Sequence, residues 1–159
     1  MKKLLLICCI AICAQTAEAQ AIRKVKIYDV LKMMDTATTP LVVNFWASWC
    51  KPCVQEIPWF EKSVAALKDK KVRLVLVSLD FPEDYPKGIQ EFAKKNGYQS
   101  RIVWLDETDA DYFCPKIDLS WQGAIPATVL VNNKKKFRKF YGQQLPEEKL
   151  KLALLEMLE

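Results

Sequence analysis

The 159-residue chain contains no histidine, and its six cysteines form only one Cys-x-x-Cys pair, Cys50 and Cys53. A structural zinc site usually takes four cysteine or histidine ligands, so one such pair supplies only half of it. The chain offers neither a second pair nor a histidine to complete the set. The sequence therefore favours disulfide chemistry over metal binding at this pair, and we expect no metal ion or other cofactor.

Signals of membrane spans and of nucleic-acid binding are also scarce. After residue 19 there is no run of about 18 consecutive apolar residues, so no transmembrane helix is predicted in that part of the sequence. Lysines cluster at residues 68–71 and 134–136, a predicted helix end and a predicted turn, without a recognisable nucleic-acid-binding motif. With 51% hydrophobic residues and no repeats or low-complexity linkers, the chain fits one globular domain.

The N-terminus has the three parts of a secretory signal peptide. A basic start, an apolar stretch over residues 4–14 and the small-x-small tripeptide at residues 17–19 follow one another. We predict a signal peptide at residues 1–19 and one domain at residues 20–159, which gives a soluble periplasmic or secreted protein. A lipid anchor is the less favoured alternative, because isoleucine or cysteine, not a small residue, precedes each cysteine of this segment.

The Cys-x-x-Cys pair lies where a predicted strand, Leu41–Ala47, gives way to a helix beginning at about Lys51. At a helix N-terminus the unpaired N–H groups and the helix dipole favour a thiolate, which lowers a cysteine pKa from about 8.5 to roughly 3.5–7.5. We predict that Cys50 is the nucleophile and that Cys53, one turn inward, resolves the mixed disulfide. Pro52 suits the first turn because it needs no N–H partner there.

Strands and helices alternate along most of the chain. Strands are predicted at residues 23–28, 41–47, 72–79, 101–105, 128–131 and 137–141, and helices from residue 29 and at residues 51–68, 87–95, 108–113 and 146–158. Alternation that ends in a hairpin and a helix predicts an α/β fold, a three-layer sandwich with a mixed central sheet.

The residues around the pair resemble a known signature. Residues 42–53, Val-Val-Asn-Phe-Trp-Ala-Ser-Trp-Cys-Lys-Pro-Cys, resemble the active site of thioredoxin-like proteins. The continuation Glu56-Ile57-Pro58 and the distant segment Gly-Ala-Ile-Pro-Ala-Thr at residues 123–128 are most similar to the exported thiol-disulfide oxidoreductases of the TlpA/ResA type. The resemblance covers nearly the whole mature domain and implies a thioredoxin-like three-layer α/β/α sandwich.

The same resemblance implies a catalytic role for Glu56. Thioredoxin carries a buried aspartate at the position of Asn44, and an amide cannot replace it in acid–base work. The exported branch implies that Glu56, one turn beyond Cys53, accepts the proton of that thiol instead. A carboxylate with a raised pKa in a partly desolvated site suits this task. The spacing alone favours a solvated helix carboxylate.

The resemblance also implies a substrate site at Ile125-Pro126, with a cis peptide bond next to Cys50, although spacing alone favours trans. An extended substrate strand would bond to the Ile125 backbone. We place Trp49 and Pro52 at the same surface and regard Trp121 as a further candidate, while the other tryptophans are assigned to packing.

Cys114 would be left without a partner in the mature chain. Its neighbours are typical of packing, so we interpret it as a buried apolar residue; an additional redox thiol is the alternative.

These observations predict an exported protein thiol-disulfide oxidoreductase. The resemblance implies protein substrates with disulfides or thiols, reduction as the favoured direction, electrons from a membrane-bound donor and a role in cytochrome c maturation. Three alternatives stay open: a disulfide-forming oxidant, a Cu(I)-binding module that uses Cys50, Cys53 and Cys114, and a redox-inactive peptide-binding domain.

Overall fold

The computed structural model describes residues 21–159, and the signal peptide predicted at residues 1–19 lies outside this part of the chain. Six strands of the described part form one sheet with the spatial order β1-β4-β3-β2-β5-β6. The strands are β1 (Arg23–Val25), β2 (Leu41–Trp46), β3 (Arg73–Ser78), β4 (Arg101–Leu105), β5 (Ala127–Asn132) and β6 (Phe137–Tyr141).

Strand β2 lies inside the sheet and is buried along its whole length. It pairs in parallel with β3 on one side and antiparallel with β5 on the other. Strands β1, β4 and β3 are also parallel neighbours, whereas β6 is antiparallel to β5. Near-continuous apolar runs suit strands that are covered on both faces. The mixed sheet confirms the prediction.

Helices cover both faces of the sheet. They are α1 (Ile27–Asp35), α2 (Lys51–Ala66), α3 (Lys87–Lys95), α4 (Ala110–Ile117) and α5 (Glu147–Leu158). Side chains of α2, α3 and α5 join one apolar cluster with one face of the sheet, and those of α1 and α4 join a second cluster on the other face. The three-layer α/β/α sandwich predicted from the sequence is therefore confirmed.

Helix α1 begins two residues earlier than predicted. The sequence predicts a first strand that extends to Tyr28 and a helix that begins at Asp29, but the strand ends at Val25 and the helix starts at Ile27. Asp29 is the third helical residue, and its carboxylate accepts a hydrogen bond from the backbone N–H of Lys26 at 2.9 Å. An acidic residue therefore marks this helix start from inside the first turn.

Helix α4 was predicted at residues 108–113 and lies at residues 110–117. Asp109 caps its N-terminus by accepting a hydrogen bond from the N–H of Tyr112 at 3.1 Å. The helix continues through Pro115, because the carbonyl group that loses its donor belongs to Asp111, which is exposed to water. Cys114 is consequently a helical residue and not part of a loop.

The topology brings two segments that are distant in sequence together at one end of the strands β2 and β5. Because β2 and β5 are antiparallel, with Phe45 opposite Ala127, the chain that leaves β2 lies beside the chain that enters β5. The first segment carries Cys50 and the second carries Pro126. Within residues 21–159, no helix is long and apolar enough to cross a bilayer.

Candidate active site

Cys50 and Cys53 form a disulfide across the first turn of α2, with an S–S distance of 1.99 Å and a Cα–Cα distance of 5.3 Å. Cys50 is the N-cap residue of the helix, and the backbone N–H of Cys53 points to its Sγ at 3.3 Å. Cys50 is 6% exposed and Cys53 is 0% exposed, so Cys50 is the outer sulfur. Because Cys53 is fully buried, a substrate sulfur can contact only Cys50 directly.

Glu56 lies one turn beyond Cys53 on α2 and is fully buried. Its Oε2 accepts a hydrogen bond from the Leu145 N–H at 2.9 Å, and its Oε1 accepts one from the Asn44 amide at 2.7 Å. Burial raises the pKa of Glu56 from 4.5 to about 7, and the two hydrogen bonds only partly oppose this rise. A carboxyl group with such a pKa can accept and release a proton near neutral pH.

Asn44 links Glu56 to the strand that carries the Pro126 segment. Its Nδ2 donates to Glu56 and also to Thr128 Oγ1, which lies 3.0 Å away on β5. All three side chains are fully buried. The sequence marks Asn44 only as a replaced aspartate and gives no sign of Thr128, because the two residues meet only through the pairing of β2 with β5.

The Ile125-Pro126 peptide bond is cis, as the resemblance implied, and this segment lies over the outer sulfur. The carbonyl oxygen of Ile125 is 3.7 Å from Cys50 Sγ. The preceding Gly123 has a φ of 87°, a backbone conformation that favours glycine. This arrangement places the Ile125 backbone beside the position where a substrate sulfur would approach Cys50.

Trp49 is 55% exposed directly before Cys50, and its ring stacks on Phe81, which is 54% exposed, with ring centroids 5.8 Å apart. Phe81 follows β3 and was not identified from the sequence. Pro52 is exposed in the first turn of α2, where its carbonyl accepts a hydrogen bond from Gln144 Nε2 at 2.9 Å. The outer sulfur therefore has an aromatic surface beside it.

The interpretation of Trp121 as a substrate-surface residue is wrong. Trp121 is buried among Phe45, Phe113 and Phe140, so a bound partner cannot reach it. Its Nε1 donates a hydrogen bond to the Ala124 carbonyl at 2.8 Å. Through this hydrogen bond the Trp121 indole holds the backbone of the segment that carries Ile125.

A buried carboxylate fixes the turn before Cys50. Asp80 Oδ1 accepts hydrogen bonds from the backbone N–H and the hydroxyl of Ser48 at 2.8 and 2.6 Å, and Oδ2 accepts one from the Ser78 hydroxyl at 2.7 Å. The Asp80 carbonyl also accepts a hydrogen bond from the Trp104 indole at 2.8 Å. Asp80 is not among the residues predicted for the site; its signal in the sequence is an acidic residue at the end of a buried strand.

Cys114 is buried and belongs to the apolar cluster on the opposite face of the sheet from Cys50 and Cys53. Burial, with the nearby charge of Asp111, raises the pKa of its thiol to about 11, and a hydrogen bond from the Gly123 backbone only partly opposes this. The sheet separates Cys114 from the disulfide. Among residues 21–159, no group of three or more cysteine, aspartate or glutamate side chains is placed to hold a metal ion.

Two thiol-disulfide oxidoreductases named ResA are similar in sequence to this chain. The chain is 40% identical over 91 residues to thiol-disulfide oxidoreductase ResA of Oceanobacillus iheyensis, covering 52% of this chain and 47% of that protein. It is 24% identical over 123 residues to the ResA protein of Geobacillus thermodenitrificans, covering 77% of this chain and 66% of that protein. The matches thus span 47% and 66% of the length of these two relatives.

A solved structure shares the fold. A thioredoxin-related protein from Neisseria meningitidis serogroup B superposes with a TM-score of 0.64 at 25% identity, covering 77% of this chain and 88% of that one. The sequence profile of the AhpC/TSA family matches residues 12–142, which include the disulfide, Glu56 and the Pro126 segment. The chain therefore belongs to the AhpC/TSA family and has the thioredoxin-like fold.

Proposed function

We propose that this protein is a thiol-disulfide oxidoreductase that exchanges its Cys50–Cys53 disulfide with the cysteines of other proteins. The observation that carries the proposal is the pairing of an outer sulfur at a helix N-terminus with a buried sulfur one turn from a carboxyl group. The names of the ResA relatives support the same activity. The reducing direction takes two steps.

In the first step, the reduced protein attacks a substrate disulfide through the Cys50 thiolate. A new S–S bond joins Cys50 to one substrate sulfur, the substrate S–S bond breaks, and the other substrate sulfur leaves as a thiolate that takes a proton from water. The Cys53 N–H, 3.3 Å from Cys50 Sγ in the oxidised protein, stabilises the negative charge of the attacking sulfur.

In the second step, Cys53 resolves the mixed disulfide. Its thiol loses a proton to Glu56, directly or through one water, and the resulting thiolate attacks Cys50. The Cys50–Cys53 bond forms, the mixed disulfide breaks, and the second substrate thiolate is released. The substrate gains two electrons, and Glu56, with a pKa of about 7, returns the proton to solvent near neutral pH.

Substrate binding uses the surface around Cys50. The Ile125 carbonyl accepts a hydrogen bond from the backbone N–H of an extended substrate strand, because its oxygen lies 3.7 Å from Cys50 Sγ. Trp49, stacked on Phe81, offers an exposed apolar contact for the same strand. These contacts give affinity for polypeptides with little demand on their side chains.

The N-terminal sequence supports export, so we place the reaction in the periplasm or outside the cell, on proteins with disulfides or thiols. Two electrons per cycle then come from a membrane-bound dithiol donor, and apocytochrome c is a substrate of fitting chemistry. Direction depends on the reduction potential, for which about 30 mV corresponds to about 1.4 kcal/mol. Equilibration with glutathione measures that potential: a value well below the glutathione couple supports reduction, and a value above it supports an oxidant.

Trapping the mixed disulfide tests the activity. Cys53→Ser should accumulate a covalent adduct with a disulfide-containing protein, because Cys50 attacks and nothing resolves the bond. Cys50→Ser should form no adduct and have no reductase turnover, whereas Cys114→Ala, changed on the other face of the sheet, should behave like the wild type. Turnover that survives Cys50→Ser would contradict the mechanism. If the protein instead shows no turnover and retains Cu(I) stoichiometrically, the metal-binding alternative is supported.

A further inference from the structure

The Asn44 amide connects three elements in the interior of the protein. Asn44 comes from β2, Glu56 from α2 and Thr128 from β5, and each is 0% exposed. Asn44 Nδ2 is 2.7 Å from Glu56 Oε1 and 3.0 Å from Thr128 Oγ1. One amide nitrogen therefore supplies a hydrogen bond to each of the other two side chains.

The other end of this amide has no partner within residues 21–159. Asn44 Oδ1 is buried and accepts no hydrogen bond from these residues, which is costly for a polar atom in the interior. A half-turn about the Cβ–Cγ bond exchanges Nδ2 and Oδ1 with little change of shape. The amide can thus present either a donor or an acceptor to Glu56.

The protonation state of Glu56 decides which of the two is needed. Glu56 Oε2 faces the Leu145 N–H, which can only donate, so a proton on the carboxyl group belongs on Oε1. Oε1 faces Asn44, and an O–H there needs an acceptor. The ionised carboxylate needs the Asn44 donor that the structure contains.

We propose that Asn44 is a positioning residue whose amide reverses when Glu56 gains or loses its proton. In the ionised state Nδ2 donates to Glu56 Oε1 and to Thr128 Oγ1. In the protonated state Oδ1 accepts the Glu56 O–H and the Thr128 hydroxyl, which rotates to donate. The proton moves between Cys53 and Glu56 only, and Asn44 neither gains nor loses one. The inference rests on the proposed function, in which Glu56 accepts the proton of Cys53.

The groups that face Glu56 make its titration simple to follow. Cys53 is the titratable neighbour on α2, and in the disulfide it has no proton to exchange. Asn44 of β2, Thr128 of β5 and the Leu145 backbone before α5 carry no charge. In the oxidised protein, protonation of Glu56 is therefore the event that should reverse the amide.

Neutron diffraction from crystals of the oxidised full-length protein tests the reversal directly, because it distinguishes nitrogen from oxygen and locates deuterium. Data should be collected at about pH 5 and about pH 9, two units on either side of the Glu56 pKa of about 7. At the lower pH we expect deuterium on Oε1 with Asn44 Oδ1 facing it; at the higher pH we expect no deuterium on Glu56 and Nδ2 facing it. The same amide orientation at both pH values would overturn the proposal.

A pair of variants tests the energetic coupling between the Asn44 amide and the Glu56 carboxyl group. Asn44→Ala removes both the donor to the ionised carboxylate and the acceptor of the protonated one. Because a hydrogen bond to a charged group is only moderately stronger than a neutral one, the Glu56 pKa, measured by 13C NMR of its carboxyl group, should rise by less than about one unit. Asn132→Ala is the matched control, since Asn132 is a buried asparagine at the other end of β5 whose Nδ2 donates to the Met157 carbonyl. It should lower stability and leave the Glu56 pKa unchanged.

A rise of about two units in folded Asn44→Ala, the value for an amide that bonds only the ionised form, would overturn the proposal. If that variant does not fold, the neutron data on the wild type decide. Both measurements use the oxidised protein and need no turnover. Failure of the proposed function would appear separately, as a wild type without adducts or exchange activity.

Discussion

The Asp80 carboxylate accepts two hydrogen bonds from Ser48, one from its backbone N–H and one from its hydroxyl, at 2.8 and 2.6 Å. Ser48 lies two residues before Cys50, in the turn between β2 and α2, whereas Asp80 follows β3. The turn that presents the outer sulfur is therefore tied to the neighbouring parallel strand. This link fixes the approach of the chain to the helix start.

The first prediction concerns this link. Asp80→Asn replaces an acceptor oxygen by an amide NH2 group, which only donates, and weakens three hydrogen bonds of this side chain in a buried site. We expect a loss of about 1–3 kcal/mol in the free energy of unfolding, measured by urea denaturation, and slower thiol exchange. In a double-mutant cycle with Ser48→Ala, the two losses should be strongly non-additive.

Asp118 provides the control for Asp80. Its Oδ1 accepts the same two hydrogen bonds from Ser120, but at the protein surface and two residues away in sequence. Asp118→Asn should therefore change stability by less than about 0.5 kcal/mol and leave exchange unchanged. Equal losses for the two variants would contradict a special role for Asp80.

The second prediction follows from the burial of Glu56. Its pKa is about 7 in the folded protein and 4.5 without burial, so folding disfavours the ionised form. The penalty is absent below about pH 4.5, grows as the pH rises to about 7 and is complete above it, where it reaches up to about 3 kcal/mol. Glu56→Gln, which cannot ionise, should thus stabilise the protein above about pH 7 and have little effect below about pH 4.5.

Urea denaturation across this pH range measures the effect, with Glu91→Gln as the control because Glu91 is an exposed carboxylate on α3. The same Glu56→Gln protein should resolve mixed disulfides more slowly, since its amide accepts no proton. A stability gain that is the same at acid and neutral pH would contradict the raised pKa as its cause.

The local sequence is sufficient to predict the centre of the site. The spacing of Cys50 and Cys53, the strand before them and Pro52 in the first turn all act within a dozen residues, and the structure has the predicted helix start at Lys51. The apolar runs and their order likewise predict the mixed sheet and the three layers. These features depend on hydrophobic periodicity and on the residues typical of helix termini, and both are visible in the sequence itself.

The supporting contacts of the site depend on pairings between distant segments. Leu145 reaches Glu56 across 89 residues, and Asp80 reaches Ser48 across 32 residues. Leu145 has no type or spacing that marks it as functional, and the acidic type of Asp80 does not show that its partner is Ser48. Trp121 was misinterpreted for a related reason: the sequence does not contain the aromatic cluster that buries its ring while leaving the indole N–H directed at Ala124.

The third prediction concerns Trp121. Trp121→Phe keeps an aromatic ring and removes the N–H that bonds the Ala124 carbonyl, which should loosen the segment that carries Ile125. We expect the KM for a protein disulfide to rise about fivefold to tenfold, with a smaller change in kcat. Exchange with a small-molecule disulfide, which needs no strand binding, should change little.

Trp46→Phe is the matched control for Trp121→Phe. Trp46 is also buried, but its indole N–H has no hydrogen-bond partner in the described part of the chain, so the same substitution removes no contact of this kind. A similar rise in KM for both variants would indicate general loosening of the core and would contradict a positioning role for Trp121.

The last prediction separates Cys114 from the redox chemistry. With a pKa of about 11 and a buried position, its thiol is almost entirely protonated at about pH 8, whereas an ordinary cysteine is partly ionised there. In the reduced native protein, iodoacetamide should label Cys50 rapidly and leave Cys114 unlabelled, as resolved by mass spectrometry of peptides. In guanidinium chloride Cys114 should react at the ordinary rate, which controls for the detection of its peptide. Rapid labelling of Cys114 in the native protein would show that solvent reaches it, and the alternative of an additional redox thiol would then replace its assignment as a packing residue.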